Sequence, residues 1–131
     1  MKADAVFSGL SVDDQDKAKD FYTRVLGLDL IDENMGLRFR LPYGGQLFVY
    51  EKQNHEPASY TALNFMVNDI DKAVDELVKQ DVKMVIYDEV FPGAKQDKKG
   101  ILRSSGPDEG PSIAWFNDPA GNTLALLEEV K

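Results

Sequence analysis

The sequence predicts an α+β fold made of two βαβββ modules, and three observations carry that prediction. Val12-Asp13-Asp14-Gln15-Asp16-Lys17-Ala18 returns 55 residues later as Val67-Asn68-Asp69-Ile70-Asp71-Lys72-Ala73. Pro42–Glu51 lines up with Pro119–Glu128 at a larger offset, which places an insertion of about twenty residues late in the second copy. Each copy also carries one amphipathic stripe at helical spacing. A helix with a single apolar face covers one side of its sheet only. The uncovered sides are expected to meet around a shared cleft, with curved mixed sheets and the helices on the outer faces. The 131 residues then form a single domain over 1–131, module one spanning about 1–53 and module two about 60–131.

The elements follow in order. Ala5 to Val12 is rich enough in apolar and β-branched residues for a strand, and Asp13 or Asp14 offers an N-cap. Ala18, Phe21, Tyr22, Val25 and Leu26 form one helical face, closed by Gly27. Leu28–Asp32 is a short strand, and Gly36–Leu41 alternates Leu37, Phe39 and Leu41 against Arg38 and Arg40. Pro42-Tyr43-Gly44-Gly45 is a turn before the strand Gln46–Glu51. Lys52–Ser59 is polar and links the halves. Ala62–Val67 is then a strand, Asp69 a cap, and Ile70, Ala73, Val74, Leu77 and Val78 a second helical face. Val82–Tyr87, Ser112–Phe116 and Thr123–Leu127 complete the strands, and Phe91–Pro111 reads as a long loop. On the first strand, Val6, Leu10 and Val12 are assigned to the helix side. Phe7, Gly9 and Ser11 are left facing the cleft.

Composition excludes several classes. The formal charge of −8 argues against nucleic acid and against anionic membrane surfaces as partners. The absence of cysteine removes disulfides, thiolate metal sites and cysteine nucleophiles. The N-terminus has no long apolar segment and no stretch approaches a membrane span, so a cytoplasmic location is expected. No phosphate-binding glycine loop, Ser-His-Asp order or zinc motif is visible. Two small half-sheets leave strand edges exposed, so a homodimer is expected.

A strand ending in Val-x-Asp, a helix with Phe21-Tyr22 and Leu26-Gly27, and Asp118-Pro119-x-Gly121-Asn122 before an apolar strand recur together in one known group. On these motifs the chain resembles the vicinal oxygen chelate superfamily of glyoxalases, bleomycin-resistance proteins and extradiol dioxygenases, along nearly its whole length. Metal-using members hold ligands at positions that the resemblance carries onto Phe7, Phe48, Ala62 and Ala125. None of these side chains can ligate a divalent metal, so no metal and no other cofactor is expected, and glyoxalase-type or dioxygenase-type activity is put in doubt.

The resulting ligand-binding set is Phe7, Gly9, Arg38, Phe48, Tyr50, Ala62, Asn64, Trp115 and Ala125. Phe7 and Phe48 serve either as ordinary core or as an apolar floor for a flat ligand. Arg38 and Trp115 are either a solvated strand arginine and a core tryptophan, or a grip on a planar ligand. Lys95, Lys98, Lys99 and Arg103 lie in the long loop, which is expected to be a mobile lid over the cleft mouth. The leading function is metal-free binding of a small aromatic or amphipathic molecule, similar to antibiotic-sequestering members of the superfamily. The alternative is a lyase, isomerase or dioxygenase-related enzyme with a non-standard site. Catalytic residues are not identified, and Tyr50, Glu51, Tyr87 and His55 are the acid–base candidates. A module that binds no small molecule is the third possibility.

Overall fold

The structure, a computed structural model, describes residues 1–129. The chain divides into two compact units, Met1–Pro57 and the remainder from Ala58 onward. The first unit runs β1 (Ser8–Val12), α1 (Gln15–Asp20), a π-helical turn (Phe21–Val25), β2 (Asp29–Glu33), β3 (Leu37–Arg40) and β4 (Gln46–Glu51). Its curved sheet has the order β1-β4-β3-β2, with β1 parallel to β4 and the other pairs antiparallel. Asp14 is the N-cap of α1, its carboxylate accepting the Lys17 N–H at 3.1 Å. Leu10, Val12, Leu37, Phe39, Leu47 and Val49 alternate onto one sheet face and are buried, as are Ala18, Phe21 and Tyr22 of the helical segment. The wide turn directs two consecutive aromatics inward. The Phe21 and Tyr22 rings meet edge to face at 5.4 Å.

The second unit repeats this plan with one added strand, β7: β5 (Thr61–Met66), α2 (Ile70–Lys79), β6 (Met84–Val85), β7 (Ile101–Leu102), β8 (Ser112–Asn117) and β9 (Thr123–Glu128). β5 is parallel to β9, and β8 is antiparallel to β9. Phe116, Leu124, Leu126 and Ala114 line the buried face, while Ile70, Val74 and Leu77 are the buried side of α2. Asp69 caps α2 by accepting the Lys72 N–H at 3.0 Å. The repeat extends to side-chain roles. Glu51 accepts the Gln15 N–H at 3.1 Å, and its counterpart Glu128 accepts the Ile70 N–H at 2.7 Å. Each last strand thus satisfies one of the unpaired donors at its helix N-terminus.

Three expectations are corrected. β1 begins at Ser8 and Val6 is 88% exposed, so Val6 is not on the helix-packed side. Val78 is likewise exposed, outside the buried stripe of α2. The segment Phe91–Pro111 is not one loose loop. β6 pairs with Trp115–Phe116 and β7 with Ile113–Ala114, so the two share one edge of β8 end to end. Ile101 and Ala94 are buried. Gln96 fastens the segment inward, accepting the Tyr87 N–H and donating to the carbonyls of Val85 and Gly100. Among the described residues no helix is long and apolar enough to cross a membrane.

Candidate functional site

Alternation along β1 and β4 gives the first sheet a second face, away from its buried one. Gly9 pairs with Phe48 and Ser11 with Tyr50 in the parallel ladder, and Arg38 pairs with Phe48 across β3. These side chains therefore share one face. Phe48 and Tyr50 stack at 5.7 Å with ring planes 19° apart. Phe7, just before β1, meets Phe48 edge to face at 6.4 Å and is 56% exposed. The Arg38 guanidinium carbon lies 6.0 Å from the Phe7 centroid and 5.9 Å from that of Phe48, within cation–π range. Asp32 and Gln46 steady that guanidinium at 3.5 and 3.4 Å.

Gly36 sets the position of the Phe48 ring. A β-carbon there would lie 2.6 Å from the ring and 2.9 Å from the Val49 carbonyl oxygen, so only glycine fits without displacing them. At the other end of the face, Ser11 Oγ and His55 Nδ1 are 2.8 Å apart. The linker makes this contact by turning back. The Lys52 N–H donates to the Val12 carbonyl at 2.9 Å, and the His55 N–H donates to the Lys52 carbonyl at 3.1 Å. His55 is half-buried.

In the second unit, Asn64, Ala125 and Trp115 are successive partners across β5, β9 and β8 and share a face. The Trp115 indole N–H donates to Thr61 Oγ1 at 3.1 Å, and Tyr87 meets the indole edge to face at 5.7 Å. Thr61 pairs with Thr123 and Leu63 with Leu124, so Ala62 falls in the register shift between them and Thr61 takes its place beside Trp115. Ala125 is fully buried, whereas Asn64 is exposed.

The four basic residues of the inserted segment do not act together. Arg103 binds Asp71 of α2 through two bonds of 2.8 Å, and it also reaches Asp97 at 2.8 Å. Lys99 bridges Asp71 and Asp75, both at 3.0 Å. These two residues clamp the segment to the helix. Arg103 and Lys99 together hold the Asp71 carboxyl well below the usual carboxylate range. Lys95 and Lys98 are exposed.

The acid–base candidates have different partners. Glu51 is engaged at the α1 N-terminus, Tyr50 lies in the aromatic stack and Tyr87 packs on Trp115. Phe7, Phe48, Ala62 and Ala125 supply no nitrogen or oxygen side-chain donor, so they do not fit a divalent metal. Among the described residues, no group of three or more His, Asp and Glu could hold one. Sequence reasoning missed Gly36, Asp32, Gln46 and Thr61 as supports, and it missed the pairing of Ser11 with His55. Only the assignment of Ser11 to the cleft-facing side of its strand pointed toward that pair.

Solved structures similar to this chain share its fold over nearly the full length. A member of the glyoxalase/bleomycin resistance protein/dioxygenase superfamily from Sphaerobacter thermophilus DSM 20745 has a TM-score of 0.65 and 25% identity, with 95% of this chain and 98% of that chain covered. TnmS3, an antibiotic binding protein from Streptomyces sp. CB03234, has a TM-score of 0.63 and 23% identity, covering 98% and 99%. FosX, a genomically encoded fosfomycin resistance protein from Listeria monocytogenes, has a TM-score of 0.68 and 15% identity, covering 99% and 96%. Among curated proteins, none matches the chain significantly. The Glyoxalase/Bleomycin resistance protein/Dioxygenase superfamily model matches residues 5–126, and on that match, with a βαβββ unit repeated once with β7 added, the chain belongs to this superfamily.

Proposed function

We propose that this protein is a metal-free member of its superfamily that binds a small, flat aromatic or amphipathic molecule on the aromatic face of its first sheet. The observation that carries the reading is the Phe48–Tyr50 stack, flanked by Phe7 and by the Arg38 guanidinium. An extended π-surface beside a cation favours planar ligands. The half-exposed Phe7 is available to close on such a ligand. The description of TnmS3 as antibiotic binding supports a sequestering role on this scaffold. The charge of −8 is compatible with a cationic ligand.

Equilibrium titration against a panel of aromatic metabolites and cationic antibiotics tests the proposal. At least one compound is expected to bind tighter than about millimolar, roughly −4 kcal/mol, and Phe48→Ala should weaken it about tenfold. Uniform failure to bind, or indifference to Phe48→Ala, would overturn the reading. Elemental analysis after dialysis is expected to find no stoichiometric Zn, Ni, Fe or Mn; close to one metal per chain would refute the metal-free part.

A further inference from the structure

Across the first sheet, rings and charges fall into rows. β4 carries Phe48 and Tyr50, β3 lies beside it, and β2 is the edge strand beyond. Arg38 pairs with Phe48 and Arg40 with Gln46, so both arginines of β3 share the face of the rings. On β2, Asp32 stands opposite Arg38 and Asp29 opposite Arg40. The order across the face is therefore rings, guanidinium groups, carboxylates. A molecule lying on the rings meets arginine before it meets aspartate.

Arg38 is bonded differently from the arginines that serve structure. Arg24 and Arg103 each hold a carboxylate at 2.8–3.0 Å. The Arg38 guanidinium lies 3.5 Å from Asp32 and 3.4 Å from Gln46, beyond the about 2.7–2.9 Å of a charge-assisted bond. Its side chain is only 35% exposed, and the Phe7 and Phe48 rings take the place of part of its water. We infer that Arg38 is the anion-recognising group of the aromatic face, so that the ligand class is planar aromatics bearing a carboxylate. This rests on the binding role proposed above for the same face. A guanidinium fork matches a carboxylate bidentately. A carboxylate carried by a ring on Phe48 and Tyr50 supplies the short bonds that Asp32 and Gln46 leave unmade. Asp32 is then the counter-ion with which the ligand competes. The charge of −8 does not oppose this, because at physiological ionic strength charges are screened beyond about 8 Å. The Arg38 guanidinium is within that range of both rings, 6.0 Å from the Phe7 centroid and 5.9 Å from that of Phe48.

Equilibrium dialysis at pH 7 with 2-naphthoate, 2-naphthol and 2-naphthylmethylammonium tests the assignment, because the three share a ring system and differ in charge. The wild-type protein should prefer 2-naphthoate to 2-naphthol by about tenfold, the lower end for a hydrogen bond to a charged group, and should bind the ammonium probe no better than 2-naphthol. Arg38→Gln, which removes the charge and keeps a planar polar end, should erase the preference while leaving 2-naphthol affinity within about twofold. Arg38→Lys, which keeps the charge and loses the fork, should retain part of it. Asp32→Asn, a change at an exposed edge-strand position, should strengthen 2-naphthoate binding severalfold and leave 2-naphthol unmoved. Phe48→Ala should weaken all three probes alike. Equal binding of 2-naphthoate and 2-naphthol by the wild type, or tighter binding of the ammonium probe, would overturn the assignment of Arg38 and leave the aromatic reading standing. A preference that survives in Arg38→Gln would overturn it equally. Binding of none of the probes would overturn both the assignment and the reading beneath it.

Discussion

In the first module Arg38 lies over Phe7 and Phe48 on the face away from the buried core, whereas in the second module Lys99 and Arg103 turn back to Asp71 and Asp75 of the helix. The two sheets share the order of their four matching strands and their helix caps, and the difference comes with the inserted segment, which adds β7 and carries Lys99 and Arg103. A cation beside aromatic rings takes part in a recognition surface. A cation between two carboxylates holds a chain segment in place. Inserting about twenty residues into the second module creates an ordering cost, and the Asp71–Arg103–Asp97 set, with Gln96, offsets it by tying the insertion to elements that are already fixed.

The connecting turns before the last strands differ in the same sense, and they set the largest expected effect. Pro42–Gly45 of the first module is exposed throughout. In the second module Asp118 is buried, and its carboxylate accepts from the Ala120 N–H, the Asn122 N–H and the Asn122 side-chain amide, all at 2.9 Å. Asn122 in turn accepts the Ala58 N–H at 2.9 Å, which secures the start of the module. Asp118→Ala removes the acceptor of three buried donors and should cost about 3 kcal/mol or more in urea unfolding. A loss under about 1 kcal/mol would show that the turn is not the fastening point of its module.

A smaller effect separates clamp from lid. Because Asp71 titrates below the usual carboxylate range, with Arg103 the larger cause and Lys99 the next, its charged form favours the folded state. That stabilisation is fully present above the unfolded carboxylate value, roughly 3.9, and is lost as pH falls through the lowered folded value. The side chain is 46% exposed, so solvent screening limits the contribution at pH 7 to about 1 kcal/mol or less. Asp71→Asn should therefore be slightly less stable than the wild type at pH 7, and the gap should close progressively below about pH 4. Ligand affinity should not change. A gap independent of pH, or a loss of binding with stability intact, would return these residues to a role over the binding face.

Much of this was legible in the sequence where a residue does the same job twice. The Glu51–Glu128 alignment is visible because both glutamates cap a helix at equivalent positions. The division of β1 into Leu10 and Val12 against Gly9 and Ser11 follows from alternation alone. Ile101-Leu102 was not legible as a strand, since two residues inside a stretch of Gly, Pro and Lys carry no period. The Ser11–His55 contact was hidden for another reason. It depends on the tertiary path of the linker, which a backbone bond from Lys52 to Val12 decides and which no local pattern encodes. The strand start at Ser8 shows the reverse case, where favourable residues at Ala5–Phe7 find no ladder partner.

The proposed ligand surface is the aromatic face of the first module. Amide chemical-shift mapping during titration with 2-naphthol tests it most directly. The largest shifts are expected at Gly9, Ser11, Phe48 and Tyr50, with the α1 and α2 amides quiet. Shifts centred on the helices or on the Lys99–Arg103 clamp, with those four amides unmoved, would contradict it.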